Sequence, residues 1–244
     1  MAKTLLLIVN PRAGRTRSQL PLFEAAARFC QAGYLLSIRQ TQRPGHAAEL
    51  AEEEGPRFDR VVCCGGDGTL NETVSGLMRL DDPPPLGYIP GGSTNDFAAS
   101  LELPADPVEA AERIIESPGR QLDAGTFNGR PFVYVASFGA FTRASYSAPQ
   151  SIKNDLGHLA YLLEGVKDLS TLRPYRASVT AGDEMFDGSF LFGAVTNATS
   201  VGGLMRLQRE QVVLDDGLFE LLLIPNPTNA AELQALIRSL VLQD

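Results

Sequence analysis

Apolar positions along the first half of the chain alternate between two periods. Val61-Val62-Cys63-Cys64 reads as a buried strand and Gly65-Gly66-Asp67-Gly68 as a tight turn. Leu70, Val74, Leu77 and Met78 then fall at i, i+4, i+7 and i+8, one face of a helix. The same rhythm recurs on both sides of this junction. Strand Thr4–Val9 precedes a helix with apolar positions Leu22, Phe23, Ala26 and Phe29, and strand Tyr34–Thr41 precedes a helix over Ala47–Glu54. Strand Leu86–Ile89 precedes short helices near Phe97–Leu101 and Pro107–Glu116. Such alternation predicts a parallel sheet with helices on both faces, whose ligands bind beyond the C-terminal ends of the strands.

From Gln121 the pattern changes. Leu122–Phe127, Pro131–Phe138, Arg176–Ala181, Met185–Thr196 and Leu218–Ile224 read as strands, with turns at Asn128-Gly129 and Asp187-Gly188. Helices are expected at about Leu156–Leu169 and Asn229–Leu242. The expected architecture is α/β: a parallel-sheet nucleotide-binding domain over 1–121, then a mainly antiparallel β-sandwich domain over 122–244. A cleft between two such domains is a natural place for a substrate.

Length permits this division, since 244 residues can bury two modest cores. A net charge of −8 and a pI near 4.9 argue against nucleic acid as the main partner. They also argue against tight electrostatic docking on an anionic membrane, apart from a local basic patch. No run approaches the roughly 18 apolar residues of a membrane span, and no secretory leader pattern opens the chain. A cytoplasmic protein is expected, peripheral at the inner membrane face if its substrate is there. Cys30, Cys63 and Cys64 read as reduced core residues, and with only His46 and His158 a histidine-rich zinc site is not expected.

The chemistry concentrates in the loops that follow the strands. Glycines at a strand–helix junction let backbone N–H groups approach an anion, and the helix N-terminus adds its positive dipole. Asp67 sits inside this cradle. An acidic side chain there suits a phosphate accompanied by a cation such as Mg²⁺. No lysine follows the glycines, so this is not a P-loop, and the third glycine of a dinucleotide fingerprint is absent. Asn10-Pro11-Arg12-Ala13-Gly14 follows the first strand and Gly91-Gly92-Ser93-Thr94-Asn95-Asp96 the fourth, so the loops would share one rim. Each has a plainer reading. Asn10-Pro11 can simply end a strand, Ser93, Thr94 and Asn95 are ordinary helix caps, and Asp215-Asp216-Gly217 is an ordinary turn. His46 reads as a helix-start surface residue, and the Leu159, Leu162, Leu163 and Val166 stripe as a core face.

Read together, Asn10 to Gly14, Gly65 to Glu72 and Gly92-Ser93-Thr94-Asn95-Asp96-Phe97-Ala98 resemble the NPxxG, GGDGTxNE and GTxNDFA loops of the bacterial diacylglycerol kinase catalytic-domain family, the soluble lipid kinases. The resemblance runs from residue 3 to the end of the chain, with Asp215-Asp216-Gly217-Leu218-Phe219 at a corresponding turn of the β domain. It implies ATP and Mg²⁺ as cofactors and a lipid hydroxyl as acceptor: diacylglycerol, phosphatidylglycerol or a sphingoid base. The implied ATP-binding residues are Asn10, Pro11, Arg12, Ala13, Gly14, Thr41, Gly65, Gly66, Asp67, Gly68, Thr69, Leu70, Asn71, Glu72 and Ser93, the last standing where a threonine is usual. Asp67 is the implied catalytic residue. A structural Mg²⁺ is implied at Asp216, through its carboxylate, and at Val213 and Leu218, through backbone carbonyls. The family also implies a further C-terminal segment with an Asp-Gly-Glu motif whose aspartate accepts the hydroxyl proton. This chain has no such motif, so a truncated form that binds ATP and phosphorylates lipid poorly is expected. Two alternatives remain: an NAD kinase-like small-molecule kinase sharing the GGDGT loop, and an ATP-binding protein that has lost transfer.

Overall fold

The computed structural model describes residues 2–14, 19–93, 95–139, 173–201, 205–208, 210 and 212–242. The expected helix over 156–169, with its leucine stripe, lies outside them, as do His158 and Thr94. The chain forms two compact units, Met1–Val133 and Tyr134–Asp244.

In the first unit β1 (Lys3–Val9), α1 (Gln19–Gln31), β2 (Tyr34–Gln40), α2 (His46–Glu54), β3 (Arg60–Gly65), α3 (Asp67–Leu77), β4 (Leu86–Pro90), α4 (Asp96–Ser100) and α5 (Pro107–Glu116) follow in order. The strands form a parallel sheet, β2-β1-β3-β4. Alternation along β1 sends Leu5, Leu7 and Val9 into one core with Phe29 of α1 and Ala110 and Ile114 of α5. Leu6 and Ile8 enter the opposite core with Ala47, Leu50 and Ala51 of α2 and Leu77 of α3. Val9 pairs with both Gln40 and Cys64, and Gly65 pairs with Pro90. The strands therefore end at one level, and their following loops share one rim.

Three apolar positions sit differently from the sequence reading. Phe23 is 75% exposed, because Leu22, Ala25 and Phe29 form the inward stripe of α1. Met78 is 42% exposed, because α3 ends at Leu77 and buries Thr69, Leu70, Thr73, Gly76 and Leu77. Cys30 is exposed, whereas Cys63 and Cys64 are buried, and burial pushes both of their thiols up to about 12.

A hairpin of β5 (Gly125–Phe127) and β6 (Arg130–Phe132) belongs to the first unit. Its turn is Asn128-Gly129, both with positive φ, the left-handed pair that a two-residue hairpin requires. Asn71 of α3 anchors it, donating to Pro131 O and accepting from Val133 N–H. The first unit thus runs past the change of sequence character at 121–122.

The second unit contains β7 (Val135–Gly139), β8 (Tyr175–Ala181), β9 (Glu184–Thr196), β10 (Ser200–Val201), β11 (Met205–Arg206), β12 (Glu220–Pro225) and a helix, α6 (Ala230–Leu242). It is mainly antiparallel. Strand β9 carries β12 along one edge and β7 and β8 along the other. Leu233, Leu236 and Ile237 of α6 cover Leu191, Phe192, Ala194 and Ile224. Asp187-Gly188, expected as a turn, lies inside β9 opposite Ser178 and Ala177. The turn is Gly182-Asp183, where Gly182 takes a φ of +58° and Ala181 pairs with Glu184.

Helices α2 and α3 touch at Gly76, where an added Cβ would land on the carbonyl oxygen of Ala48. Gly76→Ala is expected to destabilise the first unit by about 3 kcal/mol, the upper range for overpacking, despite alanine's better helix propensity. Chemical denaturation of the variant checks this.

Candidate active site

The four loops of the rim surround a cleft of about 350 Å³. Asn10, Arg12 and Ala13 line it from the first loop, and Thr41, Gln42, Arg43 and Pro44 from the second. Gly66, Gly68, Thr69 and Glu72 line it from the third loop and α3, and Gly92 from the fourth.

Asn10 ends β1 and joins it to the third loop. Its N–H donates to Cys64 O (2.9 Å), its Nδ2 donates to Thr69 Oγ1 (2.9 Å), and its Oδ1 accepts the Arg12 N–H (2.9 Å). Thr41 N–H is tied to Val9 O at 2.9 Å.

Glycines are required here by close approach. A Cβ on Gly65 would lie 2.7 Å from the Thr69 side chain, and one on Gly66 would lie 3.1 Å from Gly92 Cα. A Cβ on Gly92 would meet Gly66 Cα at 2.6 Å. Third and fourth loops therefore pack backbone against backbone. Gly68 differs: a Cβ there meets nothing within 4 Å, so its bare position opens onto the cleft. Gly66, as N-cap of α3, brings no side chain to the first-turn N–H groups, an arrangement suited to an anion.

Asn95 and Asp67 hold the fourth loop. Asn95 is buried in the left-handed region (φ 54°), its Oδ1 accepting from Gly92 N–H (2.8 Å) and Tyr88 OH (3.3 Å) and its Nδ2 donating to Gly92 O (3.0 Å). Its side chain does not cap α4. Asp67, reaching across from α3, does so instead. Its Oδ2 accepts the Asp96 N–H (3.1 Å) and its Oδ1 the Phe97 N–H (3.3 Å). Burial pushes the Asp67 carboxyl up to about 6, and neighbouring Asp96 adds to the rise, against the pull of the amide donors.

Comparison with known proteins shows the family of the chain. Residues 4–127 match the family model of the diacylglycerol kinase catalytic domain. The chain is 38% identical over 232 residues to a diacylglycerol kinase of Bacillus subtilis, covering 94% of this chain and 76% of that protein. It belongs to the diacylglycerol kinase catalytic-domain family. A diacylglycerol kinase of Staphylococcus aureus is 34% identical over 236 residues, covering 96% of this chain and 74% of that one. A crystal structure of a diacylglycerol kinase from Bacillus anthracis matches with a TM-score of 0.76 at 25% identity, over 97% of this chain and 77% of that chain.

Against this family background, the residues implied for ATP divide by where their side chains go. Asn10, Arg12, Ala13, Thr41, Gly66, Gly68, Thr69 and Glu72 line the cleft. Gly65 forms the β3 terminus, Leu70 is buried in packing, and Asn71 holds the β5–β6 hairpin. Pro11, Gly14 and Ser93 are exposed nearby, and a Cβ on Gly14 would come within 2.8 Å of Ser93 Oγ. Gln42, Arg43, Pro44 and Gly92 also line the cleft, and sequence reasoning missed them as contacts. The Pro44-Gly45 break that ends the second strand was the available signal.

In the second unit Asp216 Oδ1 accepts the Leu218 N–H at 2.9 Å, closing a tight turn whose other members are exposed. Leu214 O is taken by Asn197 Nδ2 at 3.1 Å. No cluster of three His, Cys, Asp or Glu side chains occurs among the described residues. A cation at this turn would rely on carbonyl oxygens of Val213 and Leu218 and the second oxygen of Asp216, a donor set that suits Mg²⁺. Glu220, missed in the sequence, adds a buried Oε2 without a hydrogen-bond partner among the described residues. Burial raises its carboxyl, and Asp216 adds to the effect.

Gly68→Ala places a methyl group in the cleft without touching the chain. It is expected to leave stability equal or higher by up to about 1 kcal/mol while weakening nucleotide binding at least about tenfold. Calorimetric titration beside a thermal melt reads both. Asp67 gives a separate expectation. Its pKa rises from 3.8 to about 6 on folding, so its contribution to stability is full below 3.8 and lost as pH rises through 6. Asp67→Asn does not titrate, so whatever it changes in hydrogen bonding and packing is set against the pH-dependent wild type alone. Its stability relative to wild type should therefore improve by on the order of 3 kcal/mol between about pH 3.5 and pH 7.5. Denaturant midpoints across that range check the sign.

Proposed function

We propose that this protein transfers the γ-phosphate of ATP to the hydroxyl of diacylglycerol at a membrane surface. The supporting observation is the cleft itself, in which uncapped first-turn N–H groups of α3 and side-chain-free glycine backbone meet a cationic side chain, Arg12. Membership in a family of kinases supports the reaction class. The names of the relatives support diacylglycerol as acceptor over phosphatidylglycerol or a sphingoid base. Among the described residues, no helix is long and apolar enough to cross a membrane.

Phosphoryl transfer depends on positioning and charge stabilisation more than on covalent help from the protein. In this reading the N–H groups of Gly68 and Thr69 take phosphate oxygens, and Asn10 keeps Thr69 in register with the first loop. Arg12, exposed at the mouth with no ion-pair partner among the described residues, adds positive charge. Asp67 acts by holding the fourth loop against the third. Mg²⁺, when bound with the nucleotide, offsets the phosphate charge and polarises the transferring group. Asp216, Val213 and Leu218 would hold a second, structural ion.

Labelled ATP, Mg²⁺ and mixed micelles test the reading, with diacylglycerol, phosphatidylglycerol, a sphingoid base and NAD offered separately. Label is expected in phosphatidic acid above all other products. Label confined to the NAD product would replace the lipid reading, and ATP binding without transfer to any acceptor would remove the enzyme reading for this chain. Asp216→Ala is expected to abolish the Mg²⁺-dependent rise in melting temperature. Identical Mg²⁺ responses in variant and wild type would remove the structural ion.

A further inference from the structure

One wall of the cleft consists of four consecutive residues, Thr41 to Pro44, outside regular structure. A loop of this kind needs anchors to present a fixed surface. Thr41 N–H is held by Val9 O, and His46 N–H by Arg43 O (3.2 Å) across Gly45, whose φ of +82° turns the chain. Arg43 is gripped by Glu49, Nη1 to Oε1 at 2.8 Å and Nη2 to Oε2 at 2.6 Å. The remaining anchor is the His46 side chain, whose Nδ1 accepts the Gln42 N–H at 3.1 Å.

We propose that His46 is a positioning residue of the nucleotide cleft, holding the Thr41–Pro44 wall in place through the Nδ1 lone pair. This rests on the cleft's binding ATP, the reading given above. An imidazole accepts at Nδ1 only while that nitrogen is unprotonated, so the neutral ring must carry its proton on Nε2. Protonation sets two donors, Nδ1–H and Gln42 N–H, against each other. The wall then loses its middle anchor while both ends remain tied. Charged groups around the ring are Arg43 in its own loop, Glu49 on α2, and Glu72 on α3, whose Oε2 takes the Ala47 N–H at 3.4 Å. Thr41 and Glu72 both line the cleft, so a wall that shifts changes the nucleotide's surroundings directly.

His46→Asn, whose Oδ1 stands near the position of Nδ1, and His46→Gln, whose Oε1 reaches instead toward that of Nε2, separate positioning from bulk and polarity. The readouts are KM for ATP and kcat from about pH 5 to pH 8, the range in which imidazoles titrate, with the exchange protection of the Gln42 amide. In wild type, KM for ATP is expected to rise about fivefold toward acid pH, the scale of one neutral hydrogen bond, with kcat changing less. His46→Gln should show the raised KM throughout, without pH dependence and without Gln42 protection. His46→Asn should restore both and stay flat with pH. If His46→Gln loses Gln42 protection and yet binds ATP as wild type does at pH 8, the residue is merely structural and the proposal fails alone. If wild type shows no ATP binding by calorimetry while Gln42 protection still follows His46, the nucleotide reading fails and the proposal falls with it.

Discussion

The first unit depends on one close approach, that of Gly66 and Gly92. Two loops descending from neighbouring strands meet there with no side chain between them, because even one methyl group would lie 3.1 Å or less from the opposing Cα. Two side chains at the rim support this contact. Asn95 folds the fourth loop back on itself through Gly92, and Asp67 takes the N–H groups of Asp96 and Phe97. The result is a floor of bare backbone, which an anion can approach more closely than it could approach any side chain.

Asp67 shows how one carboxylate can serve two demands. Helix α4 is five residues long and its own N-cap residue leaves the first-turn N–H groups without a side-chain acceptor, so a buried acceptor from elsewhere is needed. Supplying it with a buried aspartate beside Asp96 is unfavourable for the ionised form, which is why the carboxyl titrates near 6. A cation brought by a phosphate ligand would relieve that penalty. Structural capping and the proposed chemistry would then be linked through a single ionisation.

In the second unit, β9 is the long central member of the sheet it forms with β7, β8 and β12, with α6 over its apolar face. Asn197, fully buried just beyond β9, fixes the loop leading to Asp216 by holding Leu214 O. The turn at 215–217 is therefore attached to the sheet rather than free-standing, and its open carboxylate oxygen and the Glu220 side chain next along the chain are presented from a fixed base.

Local sequence was sufficient for whatever depends on period or on glycine. The strands β1 to β4, the helices between them, the shared rim and the Gly65–Glu72 junction all followed from apolar spacing and turn chemistry, because each is decided within about ten residues. Motif resemblance added the family, and the comparisons agree. Tertiary structure alone decided what depends on residues far apart in the chain. Phe23 is exposed because α5 meets another face of α1, and Gly182-Asp183 turns the hairpin because its cross-strand register places Asp187 and Gly188 in the ladder. Asp67 points at α4, Asn71 at the β5–β6 hairpin, and His46 at the loop before it. Side-chain direction is set by which donor stands nearest after folding, and spacing along the sequence carries no record of that.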